Sequence, residues 1–144
     1  YEYFEETVGK NLRLPFFLVK ALLPHFRGGG SVINLSSAAA RLVNPDLQVY
    51  SLAKAGQNKF TQVLAKEIGP QGIRVNGIMP GFIDTVVNQP YLSVPENLEA
   101  VLANTALGRL GQTNDIADVA YALATNAFRF VTGQIIEVSG GFSM

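Results

Sequence analysis

Two short apolar stretches, Ser31-Val32-Ile33-Asn34-Leu35 and Ile73 to Met79, flank one long stretch with helical periodicity from about Leu47 to Ile68. That order constrains the fold more than any other feature of the chain. Tyr50, Lys54, Gln57, Thr61, Leu64 and Ile68 recur at the spacing that places them along one side of a helix, and Gly69-Pro70-Gln71-Gly72 stops it. A strand, a long helix and a strand make a crossover unit, so the two strands run parallel and their connection is right-handed in nearly every known case. The expectation is an α/β fold whose sheet sends the turns Ser36-Ser37 and Pro80-Gly81 out of the same carboxyl edge, where open α/β sheets bind their ligands.

The rest of the chain supplies flanking elements. Ser31 to Leu35 reads as a buried strand. Thr7 to about Phe26 reads as a helix with Leu12, Phe16, Val19 and Leu23 on its buried stripe and an irregularity at Pro15. His25, the single histidine, falls near its far end as a surface or cap residue. Gly28-Gly29-Gly30 leads into a strand instead of a helix, which makes it a turn and not a phosphate cradle. Val86 to Asn104 contains Pro90 and Pro95 with little periodicity before Glu96, and reads as a mobile loop plus a short helix. Thr113 is placed to cap a helix from Asn114 to about Ala124, with Asp115 suited to its dipole, and Gln134 to Val138 makes a last short strand closed by Ser139-Gly140-Gly141.

Composition narrows the function classes. With 144 residues, 48% hydrophobic and 15% charged, the chain is expected to fold as a single domain, residues 1–144. A formal net charge of zero gives no electrostatic reason to propose nucleic acid or an anionic membrane surface as a partner, and neither is expected. There is no cysteine, so disulfides and thiolate metal sites are excluded, and no metal is expected. The most apolar stretch, Leu14 to Leu23, falls well short of the ~20 residues of a membrane span. The chain opens on Tyr1-Glu2-Tyr3-Phe4 without methionine and contains no Gly-x-Gly-x-x-Gly turn, which leads to the expectation of a fragment of a longer protein.

The chemistry sits in the first half of the long helix. Tyr50 and Lys54 stand ~40° apart around a helix axis, so the ammonium can lie beside the phenol. A phenol titrates near ~10 when unperturbed, and a neighbouring positive charge favours its phenolate. Ser37 adds a neutral donor, with Ser36 next to it able to do the same. As a bare pair, Tyr50 and Lys54 also fit a solvated helix face. Their position behind a double serine at a strand end is what suggests a site.

At these residues the sequence resembles the short-chain dehydrogenase/reductase family, and in general look the 3-oxoacyl-carrier-protein reductase and sugar or alcohol dehydrogenase branches. The resemblance rests on Asn34-Leu35-Ser36-Ser37, Tyr50 to Lys54, Gly72-Ile73-Arg74-Val75-Asn76, Pro80-Gly81-Phe82-Ile83-Asp84-Thr85, Gly108-Arg109-Leu110-Gly111, Asp115-Ile116-Ala117 and Thr132-Gly133-Gln134 through Gly140-Gly141. It implies a Rossmann-like doubly wound parallel sheet of which this chain is the C-terminal portion only. It further implies a cytoplasmic, NADP- or NAD-dependent oxidoreductase that moves hydride between the nicotinamide and a small-molecule carbonyl or alcohol, working as a homo-oligomer, dimer or tetramer.

By the same resemblance Tyr50 is the general acid/base and Ser37, selected over Ser36 by the family spacing, hydrogen-bonds the reacting oxygen. Lys54 assists the phenol and grips the nicotinamide ribose, and Asn11 holds a water in a proton relay to Lys54. Pro80, Gly81, Ile83 and Thr85 line the nicotinamide, and the stretch after Val86 serves as a substrate lid. Two readings of other classes stand beside it. A serine hydrolase pairing Ser36 or Ser37 with His25 would want a Gly-x-Ser-x-Gly turn, which the chain lacks around these serines. A non-catalytic, oligomerising half-domain without cofactor is consistent with the absent glycine-rich turn.

Overall fold

A computed structural model describes residues 1–142. Its centre is a three-stranded parallel sheet of β1 (Gly30–Leu35), β2 (Ile73–Pro80) and β3 (Ile135–Val138), in the order β1-β2-β3. The long helix α3 (Gln48–Ile68) joins β1 to β2, and Ser31 pairs in register with Arg74 and Leu35 with Ile78. The crossover and the shared carboxyl edge follow the expectation from the sequence.

Strand alternation divides β2 between two layers. Ile73 and Val75 face α3 and form its core cluster with Val19, Leu64, Ala65 and Ile68. Arg74 and Asn76 face the other way, where Arg74 donates to the Thr125 carbonyl and Asn76 to the Val131 carbonyl, at and beyond the end of helix α6 (Thr113–Ala124). Helices thus cover both faces, as a parallel sheet requires. β1 is less enclosed than expected: Val32 and Ile33 are half-buried and Leu35 is 54% exposed. Among the described residues β1 pairs on one side only, so its apolar side chains have neighbours on one flank.

The first helical run starts earlier than expected and is disturbed at a different place. Helix α1 (Glu2–Val8), a π-helical segment Gly9–Arg13, α2 (Leu14–Leu22) and a 3₁₀ turn Leu23–His25 follow without a break. The irregularity lies a turn before Pro15 because the proline ring crowds the carbonyl four residues back, that of Asn11, and a widened turn relieves it. Leu12 of this segment rests on α3 at Gly56, where an added Cβ would come 3.2 Å from Leu12 Cδ2.

Residues 86–104 fold into two helices, α4 (Gln89–Leu92) and α5 (Pro95–Ala103), rather than a loop and one helix. Their prolines sit in the first turns, where a missing N–H costs nothing. Leu92 and Val101 bury against Phe142, Phe82, Leu42 and Leu110 in a second cluster over the carboxyl edge. Helix α6 starts at Thr113 itself, with Gln112 as the preceding cap residue and the Asp115 carboxylate accepting the Gln112 N–H at 2.7 Å. The glycine turn before β1 holds Gly28 and Gly29 at φ 80° and 102°.

Leu64 is fully buried between α2 and β2. Leu64→Ala should lower the unfolding free energy by about 2–5 kcal/mol in urea denaturation followed by circular dichroism. A loss below about 1 kcal/mol would mean that the α3–β2 layer is not the core of the fold.

Candidate functional site

The site grows from the first two turns of α3. Lys54 is 8% exposed, and its ammonium lies 5.6 Å from the centroid of the Tyr50 ring, within cation–π reach. Its Nζ donates to the Leu35 carbonyl at 2.8 Å, tying the helix to the carboxyl end of β1. Burial pushes the Lys54 ammonium below the ordinary lysine range. No carboxylate pairs with it among the described residues. The Tyr50 side chain is half-exposed, and its hydroxyl has no hydrogen-bond partner among the described residues.

The two serines differ in what they touch. Ser36 is buried, its N–H donates to the Ile78 carbonyl at 2.7 Å, and its hydroxyl turns 3.5 Å from the Lys54 carbonyl. Ser37 is half-exposed with extended backbone, and its Oγ accepts the Ala39 N–H at 3.2 Å, capping a 3₁₀ turn at Ala38–Ala40. That bond uses an oxygen lone pair and leaves the Ser37 proton free to donate. Asn11 lies in the π-helical segment, packed against the helix that carries Tyr50 and Lys54, and its amide donates to the Thr7 carbonyl at 3.0 Å.

Pro80, Gly81, Ile83 and Thr85 leave the neighbouring strand at the same edge. Gly81 is held so close to the end of β3 that a Cβ there would stand 2.8 Å from Ser139 Cβ. Ile83 is buried and bridges to Gly111. Thr85 is half-exposed, its carbonyl accepting from Asn88 and Gln89 and its hydroxyl unbonded among the described residues. These four share the edge with Tyr50 and Lys54 without touching them in any bond described. His25 stands before β1 and the serines after it, so six residues of strand, about 20 Å, separate them and a Ser–His pair cannot form.

Two ties were not legible from sequence. Arg41 Nη2 reaches Glu137 Oε1 at 3.0 Å and the Phe142 carbonyl at 3.3 Å, spanning from the loop behind Ser37 to the end of β3. Partners 96 residues apart leave no local pattern. Arg109 forks both oxygens of Asp115, at 2.8 and 3.0 Å. That pair, reinforced by the Gln112 N–H, pulls the Asp115 carboxyl down to about 2. It fixes the loop in which the Gly111 carbonyl accepts the Asp84 N–H at 2.8 Å.

Chemically, the set offers a free phenol, a neutral hydroxyl and one poorly solvated ammonium. No group of histidine, aspartate or glutamate side chains suited to a metal occurs among the described residues. No described helix is long and apolar enough to cross a membrane.

The family described as enoyl-(acyl carrier protein) reductase matches residues 1–143. A 3-oxoacyl-[acyl-carrier-protein] reductase of Pseudomonas aeruginosa is 39% identical over 142 residues, which cover 96% of this chain and 56% of the relative. Among solved structures, a Thermus thermophilus protein superposes with a TM-score of 0.95 at 33% identity, covering 99% of this chain and 61% of the other. A Brucella melitensis 3-oxoacyl-[acyl-carrier protein] reductase with bound NAD gives a TM-score of 0.87 at 35% identity, over 99% of this chain and 53% of that one. The parallel α/β sheet is therefore Rossmann-like, and the chain spans little more than half the length of the curated relatives it matches.

Because burial disfavours the protonated amine, the unfolded chain holds more protons than the folded one between the depressed Lys54 value and the ordinary ~10.4. Lys54 should therefore make stability rise with pH across that window. Lys54→Met should flatten the rise when urea midpoints of the two proteins are compared at steps of pH, and equal slopes would exclude a desolvated ammonium.

Proposed function

Since the chain belongs to the short-chain dehydrogenase/reductase family of oxidoreductases, we propose that it supplies the catalytic part of an NADP- or NAD-dependent enzyme acting on a small-molecule carbonyl or alcohol. The observation that carries this reading is the Lys54 ammonium, buried between the Leu35 carbonyl and the face of the Tyr50 ring. A buried cation without a counter-ion is a poor stability device, and such perturbed groups concentrate where chemistry is done. Support for a nicotinamide comes from the donors at this edge. One ammonium and neutral hydroxyls suit sugar hydroxyls and a carboxamide. Tyr50, Lys54, Pro80, Gly81, Ile83 and Thr85 would hold the cofactor, which supplies or accepts the hydride when bound.

The residues of the chain then divide the proton work. Tyr50 Oη donates its proton to the carbonyl oxygen in reduction and takes it back in oxidation. Ser37 Oγ hydrogen-bonds the same oxygen while charge develops on it, its own lone pair already engaged by Ala39. The Lys54 charge, held at the ring face, stabilises negative charge on the phenol side. Asn11, in the widened turn against α3, holds the water that reconnects Lys54 to solvent. The helix pair α4–α5 closes over the substrate side, resting on Phe82 and Phe142. The exposed Leu14, Phe17, Leu18 and Leu22 of α2 offer the apolar face through which the protein forms a homo-oligomer.

A second reading, a half-domain that associates without binding nucleotide, is favoured by the half-buried face and single-sided pairing of β1. Fluorescence titration of NADH and NADPH into the 144-residue chain separates the two. In a protein that turns over, Tyr50→Phe keeps the ring and removes the proton, and should cost about 10²–10⁴-fold in turnover. Retention of more than about a tenth of wild-type turnover would remove Tyr50 from the acid/base role.

A further inference from the structure

The edge of the sheet opposite Tyr50 and Lys54 carries an unclaimed cavity of about 610 Å³. Ligand sites commonly measure about 300–1,000 Å³. It opens between the glycine turn before β1, the start of β2 and the segment after α6, and Gly28, Gly29, Arg74, Asn126, Arg129 and Phe130 are among its walls. None of the residues lining it is acidic. Neither Arg74 nor Arg129 has a carboxylate partner among the described residues. Arg74 and Arg129 thus both line one concavity free of acidic residues, in a chain of zero formal net charge.

Arg74 has a structural task that accounts for half of its guanidinium. Nη2 donates to the Thr125 carbonyl at 3.2 Å, satisfying the carboxyl end of α6. Nη1 is shut away from solvent and has no acceptor. An unmet buried donor is costly enough to call for a partner. Around the mouth the wall is bare backbone. Gly29, at φ 102°, lies so close to β2 that a Cβ would be 2.8 Å from the Gly72 carbonyl, while a Cβ on Gly28 would meet nothing within 4 Å. Phe130, beside Arg129 in the chain, is wholly exposed and gives the mouth one apolar face.

We propose that the amino edge of the sheet binds a small phosphate monoester, its phosphate between Arg74 and Arg129 and its organic body against Phe130. A phosphate monoester carries about −1.5 to −2 charges at neutral pH, which matches two guanidinium groups better than a single carboxylate does. A phosphate oxygen reaching Nη1 would meet the one Arg74 donor that the fold leaves without an acceptor among the described residues. The site is separate from the hydride-transfer chemistry, which lies at the other end of the strands.

The test is a nitrogen-15 amide titration of the 144-residue chain with inorganic phosphate and with phenyl phosphate, against sodium acetate and sodium chloride at matched ionic strength. Saturable shifts at Gly28, Gly29, Asn126 and Arg129 are expected for the two phosphates, tighter for phenyl phosphate. Arg129→Gln, an exposed change that spares the fold, should weaken both about tenfold, the scale of one charged hydrogen bond. Arg74→Lys keeps a donor for Thr125 and removes the fork, and should weaken them similarly. Shifts confined to Ser37, Tyr50 and Gly81, an equal response to chloride, or unchanged binding in both variants would each overturn the site. Equal affinity for the two phosphates would overturn the role of Phe130.

Discussion

The hydrogen bond from Lys54 Nζ to the Leu35 carbonyl organises the carboxyl edge. It ties the second turn of α3 to the last residue of β1, and Tyr50, Ser36 and Ser37 are all within four residues of one or other end of it. Removing an ammonium from water costs several kcal/mol, whereas a hydrogen bond to a charged group returns about 1.5–3 and a cation–π contact about 0.5–2. The balance does not favour this lysine as a stabilising residue. The fold holds it because the rest of α3 buries enough apolar surface to tolerate it.

That division is visible along α3. Towards the carboxyl edge its buried face carries Lys54, Gln57 and Thr61, with Asn34 of β1 donating to the Thr61 hydroxyl at 2.8 Å. Towards the amino edge the same face becomes Leu64, Ala65 and Ile68, packed on Ile73, Val75 and Val19. One helix therefore anchors the sheet with its second half and presents polar groups with its first. The Gly56 contact with Leu12 lies in the polar half and brings the widened turn of the first helical run against it.

The carboxyl edge is further braced by long-range ties. Arg41 links the loop behind Ser37 to Glu137 and the Phe142 carbonyl, and Phe142 meets the Phe82 ring edge-on at a centroid distance of 5.1 Å. Phe82 in turn stacks on Tyr91 of α4 at 5.7 Å. Exposed ion pairs such as Arg41–Glu137 contribute little to stability individually. Their effect here is positional, since together they hold three strand exits and the α4–α5 pair as one surface. The two edges of the sheet differ: hydroxyls, Lys54 and paired arginines lie at the carboxyl edge, while Arg74 and Arg129 at the amino edge have no carboxylate partner among the described residues.

Much of this was legible in the residues because it depends on local geometry. The 3.6-residue period places Tyr50, Lys54, Gln57, Thr61, Leu64 and Ile68 on one helix face, and strand-helix-strand order makes β1 and β2 parallel, with Ser36-Ser37 and Pro80-Gly81 at one edge. These follow from chain periodicity and crossover length alone. Other features required the folded neighbours. The helices at 89–103 form despite weak periodicity because Leu92 and Val101 find Phe82 and Phe142. The half-exposure of β1 depends on which strands lie beside it, and the shift of the helical irregularity from Pro15 to Gly9–Arg13 depends on where the carbonyl four residues back can move. The tertiary structure gives the two serines different surroundings, Ser36 buried against the Lys54 carbonyl and Ser37 with its proton free. Ser37 caps a turn two residues on, whereas the Ser36 hydroxyl meets a carbonyl 18 residues away that only folding brings to it.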